Sequence, residues 1–253
     1  MKKLVLALVV FLTACGTPVL AGTQTVVVEV KSSPTFTSTV SLPSITPSPG
    51  TTPLPPTETP TATIFPVIEI TDVKGVPMML VPAGEFIMGD TVDNAMAECQ
   101  TYQVDCLREW FTDEEPVHKV FLDAFYIDKY EVTNTLYKTC VDKGICQRPK
   151  RTDAWTFSNY YGQHPYDNYP VVYVDWKMAA AFCQWRGARL PTEAEWEKAA
   201  RGTDGRNYAW GAKLDSARAN YFRSPMPLNT MRVQSFANGQ SQYGVFNMTG
   251  NVW

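Results

Sequence analysis

The chain has 253 residues, with 22 Lys and Arg against 25 Asp and Glu and a formal net charge of -3. Because no basic excess is available to neutralise phosphates, the composition argues against a nucleic-acid-binding protein. All seven Trp and all twelve Tyr follow residue 100, whereas ten of the nineteen Pro lie between Pro18 and Pro66. A core needs aromatic and aliphatic area, so about one folded domain is predicted, over residues 67–253.

The first 21 residues have the pattern of an export signal. Lys2 and Lys3 precede the apolar run LVLALVVFL, which is too short to span a bilayer permanently. Leu-Thr-Ala and Cys15 follow, which resembles a bacterial lipobox whose Cys is acylated. We therefore expect residues 1–21 to be a lipoprotein signal region with lipid on Cys15, anchored in the cell membrane on its extracytoplasmic face. The alternative is an ordinary signal peptide that is cut after Ala21.

Residues 22–66 are predicted to be a disordered linker. From residue 32 onward this segment is dominated by Ser, Thr and Pro, and its one charge is Glu58. Such a sequence cannot bury enough apolar surface to offset its ordering entropy. Proline-rich chains favour extended polyproline II, so the linker could hold the domain on the order of 100 Å from the bilayer.

The five Cys after Cys15 suit an oxidising compartment. Cys99 and Cys106 are seven residues apart, and Cys140 and Cys146 flank a turn in CVDKGIC, so two local disulfides are favoured. The spacing alone does not fix the connectivity. A zinc site is disfavoured because the chain has two His and no C-x-x-C motif. Cys183, in AAAFCQW, is expected to be a buried small apolar residue rather than a nucleophile.

Two strand regions are predicted before the helices. Residues 78–81 and 85–88 are predicted to pair around a turn at residues 82–84. Residues 117–133 alternate through apolar positions and indicate one or two further strands. Residues 147–168 show no clear period and are predicted to form a loop, and regular structure is predicted to be sparse from Tyr208 onward.

Three helices carry clear start and stop signals. Thr133 is predicted to cap a helix over residues 134–141, with Gly144 just beyond its end. Asp175 is predicted to cap the next helix, which Gly187 ends. The third begins at Thr192 and ends at Gly202.

The segment RLPTEAEWEKAARG raises the question of a carboxylate catalytic pair. Thr192 and Glu195 fit a capping box, so Glu195 is assigned to the helix start. Glu193 and Glu197 are predicted to share one exposed helix face, where they repel slightly. A glycosidase needs two carboxyl groups that face each other across a substrate, so acid–base catalysis by these residues is disfavoured.

Five motifs stand in an order that resembles the formylglycine-generating enzyme, or sulfatase-modifying factor, domain. They are MMLVPAGEFIMGD, EEPVHKVFLDAFYIDKYEVTN, YPVVYVDWKMAAAFCQWRGARLPTEAEWEKAARG, NYAWG and GVFNMTGNVW. The resemblance covers residues 67–253 and implies an α+β, C-type-lectin-like fold with little regular secondary structure.

The resemblance also implies cofactors. Enzymes of this family oxidise a Cys of a sulfatase peptide to formylglycine, with oxygen and copper(I) held by two thiolates. That thiolate pair follows the GNVWEW motif, inside which this sequence stops. We therefore expect a domain that is incomplete at its C-terminus, with catalytic residues that cannot be named, and copper only if a missing segment carries the pair.

A calcium site is implied at the motif N-x-x-G-N-x-W-E. The matching ligands here are Asn247, Gly250 and Val252, and the alternative is a simple tight turn. A second calcium site of the family would begin near Asn220 and Tyr221. It is disfavoured because Pro225 and Pro227 fall where an acidic ligand is wanted.

Three functions remain open from the sequence. The first is a membrane-anchored oxidase that makes formylglycine on exported sulfatases. The second is a non-catalytic binding module of the same fold, which holds a protein or a glycan. The third is a relative that performs other oxidative chemistry on a thiol.

Overall fold

The computed structural model describes residues 15–18, 66–102, 104–221 and 229–252. The predictions for signal residues 1–14 and 19–21, and for linker residues 22–65, lie outside the described residues.

Short strands and four helices make up the regular structure. In chain order they are β1 Gly16–Pro18, β2 Glu69–Thr71, β3 Pro77–Val81, β4 Gly84–Met88, α1 Val92–Tyr102, β5 His118–Leu122, β6 Phe125–Asp128, α2 Asn134–Asp142, α3 Trp176–Arg186 and α4 Glu193–Arg201. An antiparallel four-stranded sheet has the order β1-β6-β3-β2, and β4 pairs with β5 in a separate two-stranded sheet. The predicted sparseness of regular structure after Tyr208 is confirmed, since the described residues there form one 3-10 turn, Ala237–Gly239.

The predicted pairing of residues 78–81 with 85–88 is wrong. Both segments are strands, but β3 pairs with β2 and β6, whereas β4 pairs with β5. The connection between them is held by buried Lys198 of α4, whose Nζ donates to Pro82 O at 2.7 Å and to Gly84 O at 2.8 Å. After β3 the chain therefore enters the two-stranded sheet as β4, instead of turning back to pair with β3 as a hairpin.

The predicted caps of the last three helices are confirmed. Thr133 Oγ1 accepts from Leu136 N, and an Asp175 carboxylate oxygen accepts from Met178 N. Gly187 ends α3 in the left-handed region with φ 81°. These contacts satisfy backbone groups that the helix itself leaves unpaired.

Helix α1 was not predicted. Its start is held in two ways. Thr91 Oγ1 accepts from Asn94 N at 3.1 Å, and the Glu115 carboxylate accepts from Val92 N at 2.9 Å. Its end is closed by the Cys99–Cys106 disulfide, and a second disulfide joins Cys140 to Cys146, so both predicted local pairs are present.

The core has two main parts. One lies between the four-stranded sheet and α4, where Met79, Val81 and Ile127 pack against Ala199 and Ala200. The other gathers α2 and α3 around Tyr137 and Phe182, whose rings stack at 5.4 Å. Among the described residues, no helix has both the length and the apolar character that crossing a membrane requires.

Candidate functional site

A buried carboxylate, Glu131, lies three residues beyond the end of β6. Its side chain receives two amide hydrogen bonds, from Asn247 Nδ2 at 2.7 Å and from Asn251 Nδ2 at 2.6 Å. Only 3% of Glu131 is exposed, and this burial raises its pKa to about 7, against the lowering effect of the two amide donors. Glu131 therefore changes charge near neutral pH.

The two amides belong to one tight turn near the end of the described chain. Asn247 and Asn251 have φ values of 52° and 71°, a region that Asn tolerates better than most residues. Gly250, between them, has φ 134°, and a Cβ there would lie 2.4 Å from Asn220 O. Only glycine fits this close approach of two backbones.

The turn ties several segments to Glu131. Asn251 Oδ1 accepts from Met231 N at 2.7 Å, and Asn251 N donates to Asn220 O at 2.8 Å. Asn247 Nδ2 also donates to Val233 O at 2.9 Å. Glu131 and this turn thus form a polar hub, built by segments that are distant in sequence. We call these residues, Glu131, Asn247 and Asn251, the Glu131 hub.

The predicted calcium ligands lie in this turn. Among the described residues, no hydrogen bond uses Asn247 Oδ1, Gly250 O or Val252 O as its acceptor. Oxygen donors of this kind suit calcium, which takes six to eight of them. The described part of the chain offers no group of three or more His, Cys, Asp or Glu that could hold a metal. The donor set therefore fits calcium in kind, and the calcium site stays a prediction.

The second, disfavoured calcium site stays untested. Asn220 uses its Nδ2 to donate to Asn229 O at 2.7 Å and to Asn251 Oδ1 at 3.2 Å, so its amide supports the Glu131 hub. The residues between Tyr221 and Asn229 lie outside the described part of the chain.

The cysteines do not fit a copper(I) site. All six are disulfide-bonded in this structure, so no pair of thiolates is available. The third disulfide joins Cys15 to Cys183, whose Cα atoms are 5.5 Å apart. We derive no copper chemistry from this chain.

This third disulfide corrects one prediction and competes with another. Cys183 is buried as predicted, but it is bonded rather than a free apolar residue. A sulfur atom in a disulfide cannot also carry a thioether-linked lipid. Acylation of Cys15 therefore stays a prediction, and the structure gives its sulfur a competing partner.

The glutamates of α4 are structural in this fold. Glu195 completes the predicted capping box with Thr192 and also binds Arg189 through both oxygens, at 2.7 and 2.6 Å. The predicted exposure of Glu197 is wrong. It is 4% exposed and accepts from Gly89 N at 2.9 Å and from Arg201 at 2.5 Å, because α4 packs against the end of β4.

Sequence reasoning missed Glu131. The signal was present, since this acidic residue stands between Tyr130 and Val132 in a stretch with the pattern of a half-buried strand. An acidic side chain that the pattern directs inward requires hydrogen-bond partners. Its partners, however, lie more than 100 residues away in sequence, at Asn247 and Asn251.

Known proteins resemble this chain both in sequence and in fold. A family model for the sulfatase-modifying factor enzyme 1-like domain matches residues 66–253. This chain belongs to the sulfatase-modifying factor family. The predicted α+β, C-type-lectin-like fold of that family, with little regular secondary structure, is confirmed. The same fold is seen in the solved structure of PvdO from Pseudomonas aeruginosa, at TM-score 0.55 and 25% identity, over 74% of this chain and 73% of that one.

Relatives within the sulfatase-modifying factor family carry contrasting names. The chain is 32% identical to a formylglycine-generating enzyme of Streptomyces coelicolor, over 68% of this chain and 65% of that protein. It is 27% identical to an inactive C-alpha-formylglycine-generating enzyme 2 of Bos taurus, over 74% of this chain and 72% of that protein. The chain spans 40% and 56% of the length of two further curated relatives. Family membership therefore leaves the activity of this chain to be argued from its own residues.

Proposed function

We propose that this sulfatase-modifying factor domain is a membrane-anchored binding module, which holds an exported sulfatase or another exported protein without oxidising it. The observation that supports this most is that the cysteines of residues 1–253 leave no pair of thiolates. Cys99–Cys106 and Cys140–Cys146 are disulfide-bonded, and acylation of Cys15 would leave Cys183 as a single thiol. The family's oxidation of a peptide Cys requires a copper-binding thiolate pair. Residues 1–253 do not supply it, and the resemblance puts that pair after the GNVWEW motif, beyond Trp253.

A sulfatase peptide that contains its Cys tests this proposal. The protein, including whatever its reading frame encodes beyond Trp253, is mixed with the labelled peptide, copper(I) and oxygen. Binding is followed by fluorescence anisotropy, and aldehyde formation by mass spectrometry. We expect binding without an aldehyde, while the Streptomyces coelicolor formylglycine-generating enzyme serves as the positive control. Aldehyde formation would contradict the proposal, and absence of binding would remove the sulfatase as the partner.

Formylglycine generation is the second candidate function. It is favoured by the 32% identity to a protein named for that activity. The same assay decides between the two functions, because only an oxidase changes the mass of the peptide.

Binding and formylglycine generation would both act on exported proteins, so either function requires the domain to lie outside the cytoplasm. The disulfides Cys99–Cys106 and Cys140–Cys146 are typical of an oxidising compartment. The lipobox-like segment ending at Cys15 supports a lipid anchor, which would replace the Cys15–Cys183 disulfide. We therefore infer that the domain lies on the extracytoplasmic face of the cell membrane, attached through its N-terminus.

Calcium binding belongs to the same proposal. Asn247 Oδ1, Gly250 O and Val252 O would hold the ion and thereby fix the turn beside Glu131. Because a ligand that binds only the folded state stabilises it, calcium is expected to raise the melting temperature of the full chain above its value in EDTA. Magnesium, which prefers near-ideal octahedral sites, is the matched control. Equal melting temperatures with calcium and with EDTA would contradict the assignment.

A further inference from the structure

Two surface turns of the domain each present an exposed aliphatic side chain next to a lysine. The turn between β2 and β3 carries Val73, which is 88% exposed, and Lys74. The turn after α2 carries Lys143 and Ile145, and Ile145 is 54% exposed. Single exposed aliphatic residues are common, but two of them beside lysines on neighbouring turns form a pattern.

One tryptophan lies between the two turns. Lys74 Nζ is 5.1 Å from the centroid of the Trp185 ring, and Lys143 Nζ is 5.9 Å from the same ring. Trp185 lies in the last turn of α3 and packs on Phe182 with ring centroids 5.7 Å apart. The two turns therefore meet at one partly exposed indole ring. We call Val73, Lys74, Lys143, Ile145 and Trp185 the turn face.

Both turns are held rigidly. Asp72 Oδ1 accepts from Lys74 N at 2.8 Å and from Val76 N at 2.9 Å, and Asp72 Oδ2 is bound by buried Arg186. The turn after α2 is closed by the Cys140–Cys146 disulfide. The exposed side chains of the turn face are thus presented on fixed backbones and lose little backbone entropy when they bind.

The charge of the turn face is positive and uncompensated. Among the described residues, neither Lys74 nor Lys143 forms an ion pair. The acidic neighbours are already engaged, since Asp72 binds Arg186 and Asp142 pairs with Lys138 at 2.5 Å. Two free ammonium groups around an indole ring, with aliphatic tips beside them, have the chemistry of a site that enters the headgroup region of an anionic bilayer.

The geometry points to a membrane-docking function for the turn face: Val73, Ile145 and Trp185 enter the interfacial region, while Lys74 and Lys143 contact anionic lipid headgroups. The N-terminal segment meets the domain nearby, because Cys15 N donates to Asp128, which Arg186 links to Asp72. The inference depends neither on acylation of Cys15 nor on sulfatase binding.

Vesicle binding tests the membrane-docking function. The full 253-residue chain is made without acylating enzymes and mixed with vesicles of phosphatidylcholine alone, or of phosphatidylcholine with one third phosphatidylglycerol. The apolar leader is the same in every variant, so the test reads the difference between variants and between lipids. Each lysine near an anionic surface contributes about fivefold, so Lys74→Gln with Lys143→Gln should weaken partitioning into anionic vesicles by about 25-fold.

The matched control removes two other exposed lysines, through Lys177→Gln with Lys213→Gln. Lys177 lies in the first turn of α3, at the opposite end of that helix from Trp185, and Lys213 lies in the loop after α4, so the control pair should bind like the unmodified chain. Hydrogen exchange should also slow at residues 72–76 and 143–146 when anionic vesicles are added. Equal binding to both vesicle types, an equal loss in the control pair, or protection elsewhere only would overturn the inference.

Discussion

At the scale of single residues, Glu131 makes stability depend on pH. Its pKa in the folded chain is raised to about 7 from an ordinary 4.5 because the carboxyl is buried. The folded state therefore keeps a proton that the unfolded state has already released. This contribution to stability is fully present below the unfolded pKa and is lost as pH rises through about 7.

Substituting Glu131→Gln should remove this dependence. Between pH 5 and pH 8 the unmodified chain should lose about 2.5 kcal/mol of unfolding free energy through Glu131 alone. The variant, whose amide does not titrate, should lack that loss. Urea unfolding at both pH values, in EDTA, measures the difference between the two proteins.

Glu193→Gln provides the control for this experiment. Glu193 is exposed at the start of α4, so its substitution should leave the pH profile unchanged. An identical slope for the unmodified chain and the Glu131 variant would show that Glu131 is not protonated near neutral pH.

At the scale of elements, α4 depends on its first residue. Thr192 Oγ1 accepts from Glu195 N at 3.2 Å, and Glu195 Oε2 accepts from Thr192 N at 2.8 Å. Thr192→Ala removes the first of these bonds and should cost about 1 kcal/mol of unfolding free energy. Denaturant melts of the full chain would show this as a lower midpoint with an unchanged slope.

The same substitution at Thr139 should act in the opposite direction. Thr139 is exposed within α2, and its hydroxyl donates to Leu136 O, so it caps nothing. Alanine has the higher helix propensity, and Thr139→Ala should be neutral or stabilising. Equal losses at both positions would argue against a specific role for the capping box.

The helices that the sequence predicts well are those whose start and stop residues act locally. Thr133, Asp175 and Thr192 each bond a backbone group three residues away, so the pattern is visible in a short window. Helix α1 was missed although it carries the same local signal, since Thr91 Oγ1 accepts from Asn94 N at 3.1 Å. The bond from Val92 N to Glu115, which is 23 residues further along, adds a contact that the sequence does not show. Strand pairing failed because Lys198 directs the chain between β3 and β4 from another element.

The Glu131 hub was only partly predictable, because its contacts join residues that are distant in sequence. The turn containing Asn247 and Gly250 could be identified from its motif, whereas the carboxylate it surrounds could not. Contacts between Glu131 and Asn251 span 120 residues and arise only when three segments converge. The burial that raises the pKa of Glu131 is likewise a property of the packed chain.

At the scale of the whole molecule, Cys15 has two exclusive chemical partners. In a host that processes lipoproteins, an alkyne-labelled fatty acid should enter the unmodified chain but not Cys15→Ser. The acylated protein should then show one reactive thiol at Cys183 after denaturation, and the unacylated protein should show none. Thiol alkylation followed by mass spectrometry reads both states.

A double substitution, Cys99→Ser with Cys106→Ser, is the control for acylation. It removes the disulfide at the end of α1, far in sequence from the leader, and should leave fatty-acid incorporation unchanged. Continued labelling of the Cys15→Ser chain would show that Cys15 is not the acylated residue.

Strand β1 lies at the edge of the four-stranded sheet, so the choice of Cys15 between acylation and its disulfide with Cys183 affects that edge. Gly16 bonds the backbone of Arg189 on one side, while Cys15 O accepts from Asp128 N at the end of β6 on the other. Pulling Cys15 toward a bilayer would withdraw β1 and leave main-chain groups of β6 without partners. An unpaired edge strand can bind an extended peptide as an additional strand. An anchored molecule would therefore expose a peptide-binding edge at β6 that β1 covers in the unanchored one.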